Sequence, residues 1–250
     1  MPAGRLVVQA IPCLRDNYAF VAIDPERALA WLIDAPEANA ILEHLRTRGL
    51  RLQGILATHH HPDHIGAIDA IRHVLAEELD FVLAFEGERD RIPQATHYLA
   101  ATTEGFTDTG HRLCGTPLEI LHVPGHTRGH VAFKLGDEVF TGDCLFAGGC
   151  GRLFEGSAAQ MHQSLSVLCA LPAHTRFWFG HEYTRANLIF ARHAEPDNQA
   201  VVERLANLAK RTVPSTVALE RATNPFVRAR DAEELGRRRQ AKNEFRAQSK

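Results

Sequence analysis

Apolar residues fall along the chain in short runs broken by glycine, proline and acidic turn residues, and the period of each run predicts an element. Residues 6–10, 19–23 and 28–33 are rich in β-branched and apolar side chains between turn signals, and read as strands. Asp34, Ala35 and Pro36 then read as the opening of a helix, with Ala40, Ile41, His44 and Leu45 at helical spacing and Gly49 as its stop. A strand over 54–57 is followed by a helix from Gly66, whose Ile68, Ile71, Val74, Leu75 and Leu79 share one face. Further strands are predicted over 81–84, 118–123, 131–135, 138–141 and 176–179, with a helix over 158–171. From Thr184 the pattern is helical and basic, with breaks at Pro196, Pro214 and Pro225; residues 86–105 carry no period that places them. Strands separated by helices predict an α/β fold with a mixed sheet and helices packed on its faces.

One stretch does not fit a packing pattern. Thr58-His59-His60-His61-Pro62-Asp63-His64 follows the strand over 54–57, and five of its seven residues are potential metal ligands. Buried imidazoles need partners, and a solvated loop has no use for four together. Divalent cations of the zinc and iron kind take this mixture of nitrogen and oxygen donors. Three later strand ends add His126 (flanked by His122 and His130), Asp143 and His181. One tetrahedral zinc takes four ligands, or three and a water, so these donors outnumber a single ion. Two metals fit better: His59, His61 and a histidine of the 122–130 segment for one, Asp63, His64 and His181 for the other, Asp143 between them. A pair about 3.5–4 Å apart turns a shared water into a hydroxide nucleophile and polarises a carbonyl. His60 is read as a packing or supporting residue.

Composition narrows the setting. The chain has 250 residues, 45% hydrophobic and 23% charged, the balance of a globular protein with a real core. It contains no apolar run of about 18 residues, and its first five residues lack a signal-peptide pattern, so a cytoplasmic protein without a membrane partner is expected. Five cysteines with no C-x-x-C pair fit reduced thiols; Cys144 and Cys150 are read as small buried residues rather than nucleophiles. The net charge of −2 hides an asymmetry, because residues 204–250 hold twelve Lys or Arg against five Asp or Glu. Such a tail can steer anions, although Arg237, Arg238 and Arg239 read first as a solvated helix face balanced by Glu233 and Glu234.

Longer segments carry a family signal. His59-x-His61-x-Asp63-His64, a later histidine, a Gly-Asp and a final histidine resemble the metallo-β-lactamase fold superfamily. Within it the chain resembles the glyoxalase II (hydroxyacylglutathione hydrolase) family through Leu14-Arg15-Asp16-Asn17-Tyr18, Pro124-Gly125-His126-Thr127-Arg128-Gly129-His130, Thr141-Gly142-Asp143-Cys144-Leu145-Phe146 and Gly149-Cys150-Gly151-Arg152-Leu153-Phe154-Glu155-Gly156, with Gly180-His181-Glu182-Tyr183-Thr184 and Phe190-Ala191-Arg192-His193-Ala194-Glu195-Pro196 further on. The resemblance implies an αββα sandwich with a C-terminal helical region: a metal-binding catalytic domain over 1–172, then a glutathione-binding region over 173–250 that also supplies His181. It favours His126 over His122 and His130. It implies two divalent ions, zinc foremost with iron or manganese as alternatives, held by His59, His61, Asp63, His64, His126, Asp143 and His181. Asp63 and Asp143 act in catalysis with a metal-held hydroxide. Arg152, Phe154 and Tyr183 would lie against the glutathione moiety, and Arg239 and Lys242 would hold its carboxylate. Phe154 stands where some members carry Tyr, which removes one hydroxyl contact.

The implied reaction is hydrolysis of S-D-lactoylglutathione to glutathione and D-lactate by a monomer. It is chemically consistent, because a thiol pKa of about 8.5 lets the thiolate leave without a strong general acid. Glutathione carries two carboxylates, which guanidinium groups bind well. Two other readings use the same residues: a mono-iron persulfide dioxygenase, and a metal-dependent phosphodiesterase or nuclease gripped by the basic tail. The tail lacks interleaved aromatic residues, so no nucleic-acid partner is expected.

Overall fold

The structure is a computed structural model, and it describes residues 6–75 and 79–245. Residues 1–5, read above for a targeting signal, the helix end at 76–78, and the tail cations Arg246 and Lys250 lie outside the described residues. Two six-stranded mixed sheets form within the described residues, where the residue pattern alone had predicted one.

In the first sheet, β1 (Val7–Cys13), β2 (Asn17–Asp24) and β3 (Leu29–Ile33) run antiparallel. Helix α1 (Ala38–Arg48) crosses to β4 (Arg51–Leu56), which pairs parallel with β3. Helices α2 (Pro62–Ile65) and α3 (Ile68–Val74) cross to β5 (Phe81–Phe85), and a 3-10 turn (Glu86–Glu88) leads on to β6 (His97–Leu99). The unplaced segment 86–105 is thus that turn, a three-residue edge strand and loop, too short to show a period. In the second sheet β7 (Thr107–Leu113), β8 (Thr116–His122), β9 (Val131–Leu135) and β10 (Glu138–Gly142) form an antiparallel meander. A small hairpin of β11 (Leu145–Phe146) and β12 (Gly149–Cys150) follows. Helix α4 (Ala158–Cys169) then crosses to β13 (Arg176–Phe179), parallel to β10. The rest is helical: α5 (Thr184–Ala194), α6 (Gln199–Ala206), a short β14 (Ser215–Thr216) on the sheet edge, α7 (Val217–Thr223) and α8 (Ala232–Glu244).

Alternation along the strands divides the apolar residues into layers. On β2, Phe20 and Ala22 face the second sheet, where they join Trp31, Phe133, Phe140 and Trp178. Ala19, Val21 and Ile23 face the opposite way, onto Ile41 and Leu45 of α1 and Ile68 and Ile71 of α3. Behind the second sheet, Ala132, Val139 and Phe177 pack on Met161, Leu165, Phe190, Phe226 and Leu235 from the later helices. The order is helix, sheet, sheet, helix, an αββα sandwich.

Three local expectations change. Helix α1 starts at Ala38, two residues after Pro36, because Asp34 turns its carboxylate inward to Thr58 rather than capping the helix. Val74 is exposed rather than on the apolar face, since α3 ends there. The strand Thr107–Leu113, with polar residues at most of its positions, is an edge strand that had shown no apolar alternation.

Candidate metal centre

Strands β3, β4, β8, β10 and β13 end on one rim, and the chemistry-bearing residues sit just beyond those ends. His59 to His64 follow β4, His126 follows β8, Asp143 follows β10, and His181 follows β13. Close backbone approach is needed to gather them. A Cβ on Gly180 would stand 2.5 Å from Asp143 Oδ1 and 2.7 Å from His64 Cε1, and Gly142, at φ +46°, faces Thr58 and His130 just as tightly.

The donor atoms of His59, His61 and His126 lie within 4.8 Å of one another, as do those of Asp63, His64 and His181. Asp143 faces both groups: Oδ1 is 3.2 Å from His64 Nε2, and Oδ2 is 3.5 Å from His126 Nε2 and 3.4 Å from His181 Nε2. Among the described residues, His59 Nε2, His64 Nε2 and Asp143 Oδ1 are buried without a hydrogen-bond partner. Three orphaned donor atoms converging from different loops are costly in a folded interior unless something else engages them. The 3.2 Å approach of His64 to Asp143 lacks hydrogen-bond alignment and does not relieve this. The residues therefore fit a pair of divalent cations, and nitrogen and carboxylate donors suit zinc-like ions.

Charge in the cluster is balanced by burial and pairing. Burial holds His59, His61 and His126 below the ordinary imidazole value, His61 at about 4, so they stay neutral. Burial acts the same way on His64, but the Asp143 and Asp34 carboxylates outweigh it and hold His64 well above that value. His181 is pushed up to about 10, burial being overcome by Asp143, Asp63 and Asp16. Asp143 sits well below the usual carboxylate range, since His64 and His181 outweigh its desolvation.

Of the supports of these side chains, only Asp16 and Asn17 carried a family signal, their place in the motif over 14–18. His64 Nδ1 lies 2.7 Å from Asp34 Oδ2, which also accepts from Thr58 Oγ1 at 2.8 Å. His181 Nδ1 lies 2.9 Å from Asp16 Oδ1, and His126 Nδ1 lies 2.9 Å from the Arg152 carbonyl. Asn17 donates to Asp63 Oδ2 at 3.1 Å. Such partners fix ring orientation and tautomer. The available signal for Asp34 was its place at the end of a strand adjacent to the one that launches the histidines.

The neighbouring histidines separate cleanly. His122 stacks on Phe85 and bonds the Arg128 carbonyl, away from the cluster. His130 is buried against His59 and accepts from the Asp143 amide at 3.0 Å, supporting the site from behind. His60 turns outward to Glu88, 2.7 Å away. Cys144 and Cys150 are buried free thiols, with Cys150 pushed up to about 11 chiefly by burial.

Beside the cluster is a cavity of about 470 Å³ that reaches His126 and Asp143 and is also lined by Arg152, Phe154, Tyr183, Arg239 and Lys242. Phe154 is 62% exposed and meets His61 and His126 edge-on. Tyr183 stacks on His181 at 4.8 Å. Arg239 is buried; its Nη1 donates to the Cys150 carbonyl at 2.9 Å while Nε has no partner. Lys242 donates to the Ala186 carbonyl, and burial followed by Arg239 pushes its pKa down to about 8. The arginine run is not one solvated face: Arg237 is exposed, Arg238 pairs with Glu195 and Glu234, and Arg239 is buried in the cavity wall. Arg204, Arg228 and Arg230 are likewise paired with Glu220, Glu195 and Glu234, so much of the basic tail is internally neutralised.

Comparison with known proteins covers nearly the whole chain. Residues 22–181 match the model of the metallo-beta-lactamase superfamily, and residues 182–248 match that of the hydroxyacylglutathione hydrolase C-terminus. A hydroxyacylglutathione hydrolase of Shewanella baltica is 40% identical over 237 residues, 92% of this chain and 88% of the relative. Among solved structures, ETHE1 from Myxococcus xanthus superposes with a TM-score of 0.67 at 24% identity, over 94% of this chain and 90% of that one, a likeness of fold. The di-iron-bound form of TTHA1623 superposes with a TM-score of 0.59 at 28% identity, over 86% of this chain and 98% of the other.

Proposed function

The chain belongs to the hydroxyacylglutathione hydrolase family, and from that premise we propose that it hydrolyses S-(2-hydroxyacyl)glutathione, chiefly S-D-lactoylglutathione, to glutathione and the free 2-hydroxy acid. The observation that carries this reading is a cavity that opens on His126 and Asp143 of the two-group ligand cluster and is lined on its other side by Arg152, the buried Arg239 and the half-buried Lys242. His59, His61 and His126 would hold one divalent ion, Asp63, His64 and His181 a second, with Asp143 shared. When bound, such a pair lowers the pKa of water and polarises the thioester carbonyl. Zinc suits the donors; iron, as in TTHA1623, suits them too.

The chain's own groups do the rest. Asp63, anchored by Asn17, would orient the attacking water; its oxygen adds to the acyl carbon, the carbon–sulfur bond then breaks, and of the water's two protons one ends on the departing sulfur and one in solvent. The thiolate leaves without a protein acid. The Arg239 guanidinium and the Lys242 ammonium, both in the cavity wall, would offer donors to a glutathione carboxylate, with Arg152 and Tyr183 along the peptide and Phe154 giving an apolar edge at the mouth. The functional division follows residue 172: residues 1–172 supply six ligands, and 173–250 supply His181 and most of the substrate contacts. Five buried thiols accord with a reducing cytoplasm, and the chain is read as a monomer.

A mono-iron dioxygenase would leave one donor group without a role. The test is turnover of S-D-lactoylglutathione before and after chelation, with metal analysis of the same sample. Two ions per chain and metal-dependent release of glutathione are expected; one iron with oxygen uptake overturns the reading.

A further inference from the structure

The hairpin formed by β11 and β12 lies between Asp143 and Arg152, and its tip is held by side chains from the C-terminal helices. Glu220 Oε2, in a carboxylate that is wholly buried, accepts from the Gly148 amide at 2.8 Å. Asn224 Nδ2 donates to the carbonyls of Phe146 at 3.2 Å and Gly149 at 2.9 Å, and to Glu220 at 2.9 Å. Asn187 Nδ2 donates to the Ala147 carbonyl at 3.2 Å. Glu220 is in turn neutralised by Arg204 at 2.9 Å and receives the Ser215 hydroxyl. A buried carboxylate with four donors is stabilised in its charged form, whereas removal of any one member leaves others unsatisfied.

What this clamp holds is the backbone that sets two groups of the metal centre. Asp143 enters the hairpin two residues before Leu145. On the other side, a Cβ at Gly151 would stand 2.1 Å from the Asp143 carbonyl and 2.9 Å from His126 Nδ1, and the next carbonyl, that of Arg152, is the partner of His126 Nδ1. The strand ending at Cys150 therefore abuts both Asp143 and His126, and displacement of the tip is transmitted to them.

We infer that Glu220 and Asn224 are positioning residues of the metal centre: they fix the 145–150 hairpin and, through it, the orientation of His126 and the placement of Asp143. The role is separate from supplying substrate cations, and it rests on the two-metal reading of the site. Asn224→Ala opens the Phe146 and Gly149 carbonyls, and Glu220→Gln keeps the shape while removing the charge that Arg204 and Gly148 engage.

The test is zinc affinity of the purified full-length chain by competition with a chromophoric chelator, with thermal midpoint and S-D-lactoylglutathione kinetics alongside. Leu45→Ala, on the buried face of α1 and in a different core layer from the hairpin, serves as a control for lost stability. Both clamp variants are expected to bind zinc about tenfold or more weakly, the range for loss of a ligand's outer partner, and to lose kcat even at saturating zinc. Leu45→Ala should lower the midpoint with zinc affinity unchanged. If Asn224→Ala does not fold, Glu220→Gln decides alone. Clamp variants that lose thermal stability but bind zinc as the wild type does overturn the inference. Wild-type turnover tests the proposed function separately, because zinc affinities can be compared whatever the substrate.

Discussion

At Lys242, burial and the neighbouring Arg239 guanidinium push the pKa down to about 8, against an ordinary value of 10.5. The ammonium is therefore charged below about pH 8 and neutral above it, so the carboxylate capture proposed for it should be strong on the acid side and fade as pH rises through 8. KM for S-D-lactoylglutathione should rise above pH 8 with little change in kcat, and Lys242→Arg, whose charge persists beyond pH 12, should flatten the profile in steady-state kinetics. Asp34 offers a second single-residue prediction. Asn at this position still accepts from the Thr58 amide but offers His64 no charge, so Asp34→Asn should weaken zinc binding by roughly 10–100-fold, read by chelator competition. The seven residues expected as ligands stood out in the chain because their chemistry is concentrated in short motifs. Asp34 and Glu220 did not, because an isolated carboxylate acquires its meaning only when another segment folds against it, whereas Asp16 was marked only by its place in the family motif.

Elements with a strong period were legible and those without one were not. The buried strands Val131–Leu135 and Glu138–Gly142 are apolar enough to announce themselves, and Gly49 ends α1 in the left-handed conformation its type favours. The edge strands Thr107–Leu113 and His97–Leu99 are mostly polar or very short, and only pairing with a neighbour defines them. Helix α4 carries a capping box in which Ser157 and Gln160 satisfy each other's backbone amides. Ser157→Ala should lower unfolding free energy by about 1 kcal/mol, measured by urea denaturation, and leave zinc affinity intact because the cap faces solvent.

Over the whole molecule the C-terminal region is part of the core rather than an appendage. Strand β13 pairs with the central β10, and Phe177 and Trp178 are buried on opposite faces of the sheet. A chain ending at residue 172 should fail to form the sandwich and show lost near-ultraviolet circular dichroism. Metal ions bind the folded state only, so at a thousandfold excess over Kd they add about 4 kcal/mol. For a chain of this length that corresponds to a rise in Tm of roughly 8–16 °C, which chelation should abolish in a thermal scan. Sequence alone implied the sandwich through family resemblance, whereas the pairing of residues 176–179 with 138–142 across helix α4 is a nonlocal fact no window of sequence contains.

That pairing also orders events during synthesis. Asp16 and His181 are 165 positions apart and bond each other, and Asn17 bridges to the same histidine. Asp16 and Asn17 must therefore wait until His181 has left the ribosome before the second donor group can close. A nascent chain stalled before residue 181 should present Asp63 and His64 without their third partner, while His59, His61 and His126 are already available, so the second donor group is expected to take up its cation only late in assembly.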